Sequence, residues 1–227
     1  LVPRPEGPLV FMTLQTIGLA ESGLLSQCEA SFKQGTRFTD WARQGDDSRY
    51  VHPFSLPAEY ATLNLAEHWL VTDGTTPFAD FVTPQAALIE AGLAPKQPAT
   101  PEYAFNVNYG YHFDAGKFAK LLHEHAVGRL GVRYVSGNLQ QVEMREDGDI
   151  AAIVLDTGER LAGDLFVDCT GQRALLIGRY PEAGLASVKD VLFNDAAIAV
   201  QVPYTDPSQP LPSVTCATAV ASGWIWD

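Results

Sequence analysis

Residues 163–177, Gly163-Asp164-Leu165-Phe166-Val167-Asp168-Cys169-Thr170-Gly171-Gln172-Arg173-Ala174-Leu175-Leu176-Ile177, decide how the fold is read. The apolar run Leu165-Phe166-Val167 between two aspartates predicts a short buried strand, and Cys169-Thr170-Gly171 predicts the turn that ends it. Leu175, Leu176 and Ile177 then predict a helix. Upstream, the runs 138–145, 150–156 and 159–162 are separated by Glu146-Asp147-Gly148-Asp149 and Thr157-Gly158. Short alternating runs with such turn signals predict a three-stranded β-meander. Before the meander, Gly131 to Val135 predicts a strand. Asp114 can cap a helix reaching Gly131, with Phe118, Leu121, Leu122, Ala126 and Leu130 on one apolar stripe.

A helix, a strand, a meander and a buried strand ending in Asp-x-x-Gly is the order of elements in α/β flavoproteins of the glutathione-reductase type. In such sheets ligands bind beyond the carboxyl ends of the strands, here at Asp168 to Gly171. Gly171 admits close backbone approach to a phosphate or flavin, and Asp168 can accept from a ribityl hydroxyl or a water. An ordinary strand-to-helix turn with a capping aspartate is the plain alternative, and the tetrapeptide alone does not separate the two.

The N-terminal half is more broken. Residues 9–17 predict a short buried helix stopped by Gly18, and 21–30 a second one. From 32 to 41 the helical period gives way to interleaved aromatics, which predicts an extended segment with Lys33 at its start; Tyr50 to Phe54, around Pro53, reads the same way. Residues 58–71 predict a helix with Leu63, Ala66, Trp69 and Leu70 on one side. Five prolines between 74 and 102 leave room only for a short helix at 84–91.

Composition narrows the function classes. The 27 acidic and 15 basic residues leave a net charge of −12, which opposes a nucleic-acid partner. With 46% hydrophobic residues the chain can bury a core. No apolar stretch approaches the roughly 20 residues of a membrane span, so a cytoplasmic protein is expected. Cys28, Cys169 and Cys216 lack ligand spacing, and His123 and His125 face different sides of a helix, so no metal site is expected.

Five blocks carry a family resemblance: CEASFKQGTRFTDW (28–41), YVHPF (50–54), YGYHFDAGKFAKLL (109–122), GDLFVDCTGQRALLI (163–177) and SGWIWD (222–227). In this order they resemble the flavin-dependent halogenases of the tryptophan halogenase family. The resemblance implies an FAD-binding, glutathione-reductase-like monooxygenase/halogenase fold. It also implies a reaction in which FADH2, oxygen and chloride or bromide yield hypohalous acid for an indole-like aromatic, with a separate flavin reductase supplying FADH2. Lys33 matches the lysine that presents the halogen. His52 and Phe54 match positions that contact the aromatic substrate, and Trp224 and Trp226 match a pair between the flavin and substrate compartments. Leu139, with Asp168 and Gly171, matches the cofactor side. The bland readings are an edge-strand lysine and buried aromatic packing.

The resemblance also implies that residues 1–227 are one partial halogenase domain. The family's N-terminal GxGxxG βαβ unit and its C-terminal region have no counterpart, and the strap preceding a proline is represented at best by Pro5-Glu6-Gly7-Pro8. A chain opening on Leu1-Val2-Pro3 and closing on Trp224-Ile225-Trp226-Asp227 reads as a piece of a longer protein. The alternatives are an aromatic monooxygenase on the same scaffold, or a catalytically inert fragment.

Overall fold

A computed structural model of the chain describes residues 9–42, 48–206 and 208–227. The Pro5–Pro8 strap and most of the polar loop before Tyr50 lie outside them. Helix α1 (Leu9–Thr16) ends as expected at Gly18, whose φ of +73° is the left-handed conformation that lets Leu19 N–H reach back to Leu14 C=O at 2.9 Å. Helix α2 (Glu21–Gln27) leads into β1 (Ser31–Lys33), β2 (Gly35–Thr39) and β3 (Arg49–Pro53). Three short helices follow: α3 (Leu65–Thr72), α4 (Phe78–Val82) and α5 (Gln85–Glu90). Strand β4 (Gly110–His112) precedes α6 (Ala115–Gly128), where the Asp114 carboxylate accepts from Lys117 N–H at 2.9 Å. The meander is β5 (Leu139–Met144), β6 (Ile150–Leu155) and β7 (Arg160–Ala162), and the chain closes on β8 (Val214–Val220) and β9 (Gly223–Trp226).

The contacts divide the chain into two compact units. One comprises the residues up to Val132 together with Gln201–Asp227, and the other Arg133–Val200. The first contains a four-stranded sheet in the order β3-β2-β8-β9, with β2 and β8 parallel and the other neighbours antiparallel, plus the two-stranded ribbon β1-β4. Its core gathers Phe11, Leu14, Leu19, Leu24, Cys28, Tyr103 and Tyr109. Inside that core Glu21 is buried, and its carboxylate accepts from Lys96 Nζ (2.8 Å), Tyr109 Oη (2.6 Å), Tyr111 Oη (2.7 Å) and Tyr103 N–H (2.9 Å). The second unit holds the antiparallel sheet β5-β6-β7.

Four expectations change. Residues 131–138 form no strand. Residues 164–168 are not a buried strand either: Leu165 and Val167 are 82% and 75% exposed, and no described strand pairs with them. An apolar run becomes a strand only where a ladder partner takes its backbone groups. The helix expected after Gly171 is instead two single turns of 3-10 helix, Gly171–Arg173 and Ile177–Arg179. Helix α3 starts at Leu65 rather than near 58, because Asn64 captures Glu67 N–H and Glu59 sits at φ +61°.

Candidate active site

Alternation along the β1-β4 ribbon separates core from site. Phe32 lies opposite Tyr111 and packs edge-on against Tyr109 at 5.0 Å, so that face joins the core. Lys33 therefore points to the other face, opposite Gly110. The Phe54 ring lies over Gly110, 3.5 Å from where a Cβ would stand, and Lys33 Nζ stands 5.8 Å from that ring's centroid. Partial burial pushes the Lys33 amine below the ordinary lysine range, and among the described residues no carboxylate pairs with it.

Phe54 is held by backbone bonds at every side. Its N–H donates to Gln34 C=O at 2.9 Å and its C=O accepts from Asn108 Nδ2 at 3.2 Å. The next residue, Ser55, donates its N–H to Gln85 Oε1 at 2.7 Å, while Gln85 Nε2 donates to Asn108 C=O at 2.6 Å. Gln34, fully buried beside Lys33, ties this knot to the start of β8: its N–H donates to Ser213 C=O at 2.6 Å and its Nε2 to Leu93 C=O and Ser213 Oγ. The sequence gives no sign of Gln34 and Gln85, because a lone glutamine carries no periodicity to mark it. Beside them Gly35 is compelled by space, since a Cβ there would lie 2.5 Å from the His52 carbonyl oxygen.

The sheet register places His52 and the tryptophan pair on one face. Tyr50 and His52 on β3 stand opposite Phe38 and Thr36 on β2, which stand beside Ala217 and Thr215 on β8; Ala217 and Ala219 in turn face Trp226 and Trp224. The rings run in sequence across it, Tyr50 stacked on Phe38 at 5.0 Å, Phe38 edge-on to Trp41 at 5.6 Å, Trp41 to Trp224 at 6.0 Å and Trp224 to Trp226 at 6.4 Å. Trp41 anchors the series through Nε1, which donates to Ala217 C=O at 2.9 Å. His112 joins the ribbon to this face through a 3.1 Å hydrogen bond with Thr215 Oγ1. A cavity of about 670 Å³ opens between β3 and helices α4 and α5, spanned by the Arg37–Glu90 ion pair at 2.6 Å. His52 borders it, whereas Lys33, Phe54 and the tryptophans do not, so volume and chemistry separate here.

Leu139, Asp168 and Gly171 belong to the second unit. Leu139 opens β5 opposite Leu155. Asp168 is fully engaged by its own loop: Oδ1 accepts from Thr170 N–H (3.0 Å) and Oγ1 (2.6 Å), and Oδ2 from Leu176 N–H (2.8 Å) and Ile177 N–H (2.9 Å). The Thr170 hydroxyl, then these N–H groups, hold its carboxyl well below the usual aspartate range. A carboxylate offers about four acceptor positions, so Asp168 shapes the loop and leaves little for a ligand. Gly171, at φ +66° with nothing within 4 Å of where a Cβ would stand, exposes its backbone. A cavity of about 620 Å³ follows the segment from Asp164 to Asp168 and carries Arg145 at its wall. Asp149, Asp164 and Asp168 share that wall and Gly171 does not border it, so the open Gly171 backbone, outside this cavity, is the feature that suits close approach of a phosphate.

No helix among the described residues is long and apolar enough to cross a membrane. The family model for tryptophan halogenases matches residues 8–227. The chain is 30% identical over 240 residues to tryptophan 7-halogenase RebH of Lentzea aerocolonigenes, spanning 97% of this chain and 45% of that protein. It is 32% identical to 7-chloro-L-tryptophan 6-halogenase KtzR of Kutzneria sp. over 93% of this chain and 45% of that protein. Among solved structures, a tryptophan halogenase from Shewanella frigidimarina superposes with a TM-score of 0.91 at 42% identity, covering 97% of this chain and 43% of its own. The flavin-dependent halogenase Xcc4156 from Xanthomonas campestris superposes with a TM-score of 0.83 at 31% identity, over 96% and 43%. The chain thus spans less than half the length of these relatives, and with its mixed α/β architecture it belongs to the tryptophan halogenase family.

Proposed function

We propose that these residues form the central part of a flavin-dependent halogenase acting on tryptophan or another indole-like aromatic, with FADH2, oxygen and chloride or bromide as co-reactants. The observation that carries this reading is the placement of Lys33, a partly buried amine over the Phe54 ring on a ribbon whose opposite face is locked into the core. Reduced FAD, when bound, supplies the electrons with which oxygen and halide give hypohalous acid. The open backbone of Gly171 would lie against its nucleotide, and Leu139, in the same compact unit, would contribute its backbone. Lys33 then acts on the acid. As an ammonium it donates a hydrogen bond to the oxygen; as a free amine it forms an N–halogen bond while water leaves with the amine proton. Transfer of halogen to a ring carbon, with loss of that carbon's proton, regenerates the amine. His52 and Phe54 offer the faces against which an indole would stack, and Trp224 and Trp226 would keep it from the flavin side. A separate flavin reductase would supply FADH2, and a cytoplasmic location fits that dependence.

The test is the full-length enzyme with a flavin reductase, FAD, bromide and an indole substrate. Lys33→Ala should reduce brominated product below detection while flavin reoxidation continues at the wild-type rate. Undiminished product in that variant refutes the role given to Lys33, and hydroxylated product in the wild type would make the enzyme a monooxygenase.

A further inference from the structure

Lys33 has a neighbour on its ribbon that the reaction described above leaves unused. Register sets Lys33 opposite Gly110 and Ser31 opposite His112, so all four share one face. With Gly110 bare, His112 is the diagonal side chain, and such neighbours lie about 7–8 Å apart, within reach of a long side chain. The imidazole is half-buried and is braced on β8 through Thr215 Oγ1 at 3.1 Å. It also lines a cavity of about 430 Å³ whose wall includes Glu29, Tyr204, Trp226 and Asp227. Lys33 does not line that cavity. Ser31 and His112 both share the amine's face and line the space holding two carboxylates, and of the two His112 has the side chain large enough to stand between them.

We propose that His112 is a positioning residue for Lys33: a neutral imidazole, braced on Thr215, that keeps the amine over Phe54 and apart from the Glu29 and Asp227 carboxylates. The proposal rests on the halogenase reading for its catalytic meaning. An ammonium on a flexible four-carbon stem pairs with any carboxylate it can reach. Such a pair would hold the proton on the amine and turn the head away from the ring. Lys33 from β1 acts on His112 through its charge; Glu29 from the turn before it, which itself pairs with Lys117 of α6, Tyr204, and Asp227 after β9 share the lining of its cavity. Burial, and after it the charge of Lys33, lower the imidazole's pKa and keep it neutral. Lys33 is in turn depressed by burial alone, since His112 has already lost its proton where Lys33 titrates.

The experiment is trace acetylation of the full chain with acetic anhydride across pH, with Lys33 labelling read by peptide mass spectrometry. In His112→Ala the Lys33 amine should find a carboxylate and its labelling at pH 8 should fall about tenfold, a shift of roughly one pKa unit. His112→Gln, which can still bond Thr215 without charge, should keep the wild-type profile. Adding Glu29→Gln and Asp227→Asn to His112→Ala should restore labelling. The same two carboxylate substitutions in the wild-type background should change nothing, and this arm stands even if His112→Ala fails to fold. An unchanged Lys33 profile in folded His112→Ala overturns the proposal. So does a loss that persists without the two carboxylates, or a shift when they are removed beside an intact His112. Labelling needs neither flavin nor halide, so failure of halogenation in the separate assay refutes the halogenase reading without altering this result.

Discussion

At the residue scale, Lys33 is held at a cost to stability. Its side chain is partly desolvated as a cation, and among the described residues the Phe54 ring offsets that cost, by about 0.5–1 kcal/mol. Lys33→Met should therefore melt at or above the wild-type temperature while losing halogenation, as expected where a functional group is held against its own stability. The pH dependence has a definite sign. A lysine whose folded pKa lies below the unfolded value of about 10.4 binds fewer protons folded than unfolded in that interval. Wild-type stability relative to Lys33→Met should thus rise as pH climbs toward 10.4, which thermal melts at several pH values would show. Gly35 is the other residue with a single permitted identity. Its φ is not in the left-handed region, so the constraint is contact with β3, the His52 carbonyl first and the Pro53 Cα at 3.1 Å after it. Gly35→Ala must push β2 and β3 apart and should cost about 1–3 kcal/mol in chemical denaturation. An unchanged midpoint would mean that the two strands separate freely.

At the element scale, β4 owes its place to a buried carboxylate. Glu21 on α2 takes hydrogen bonds from Tyr109 and Tyr111, which flank Gly110, and from Lys96. Burial alone would raise the Glu21 carboxyl, but the bonds from Lys96, Tyr109, Tyr103 and Tyr111 outweigh it and the net displacement is downward. Burial first, and Glu21 after it, raise the Tyr103 phenol to about 12 and the other two further, so all three remain donors. A depressed carboxylate contributes stability that is full above its unfolded pKa, near 4.3, and is lost as pH falls through the folded value. Glu21→Gln should cost about 3 kcal/mol at neutral pH by stranding buried Lys96. It should also flatten the acid limb of the stability curve, and Glu21→Gln/Lys96→Met should recover part of the loss. Because β4 pairs with β1, the same variant should displace Lys33.

The elements differ in how readily the sequence shows them. Helices α1 and α6 and the meander announce themselves by caps, glycines and alternation, signals that act within a few residues. Strand β4 and helix α4 carry no such mark. Each is short, and its conformation is set by what it packs against rather than by its own period.

At the scale of the whole molecule, the candidate residues fall into two sets. Lys33, His52, Phe54, Trp224 and Trp226 belong to one compact unit, and Leu139, Asp168 and Gly171 to the other. Between Gly184 and Asp206 the chain has no regular helix or strand, and Leu185, Val191, Leu192, Phe193, Ile198 and Val200 are exposed. Backbone with few hydrogen bonds is where proteases enter. Limited trypsin digestion should therefore cut first after Lys189, before Arg37 or Lys96 in the first unit, as mass spectrometry of early time points would reveal.

The amino-acid order alone showed part of the local structure and the family: where α1 and α6 are capped or stopped, where the meander turns, and which blocks stand in family order. Those signals are carried by neighbours in the chain, so they are legible without a fold. The tertiary structure decided which faces meet. It sent Lys33 over Phe54 by burying Phe32, made Gln34 and Gln85 the clasp of the aromatic loop, spent the Asp168 carboxylate on its own turn and set His112 beside the amine. Each of these depends on pairing between residues dozens of positions apart, and hydrogen-bond register and burial across such distances leave no period in the sequence.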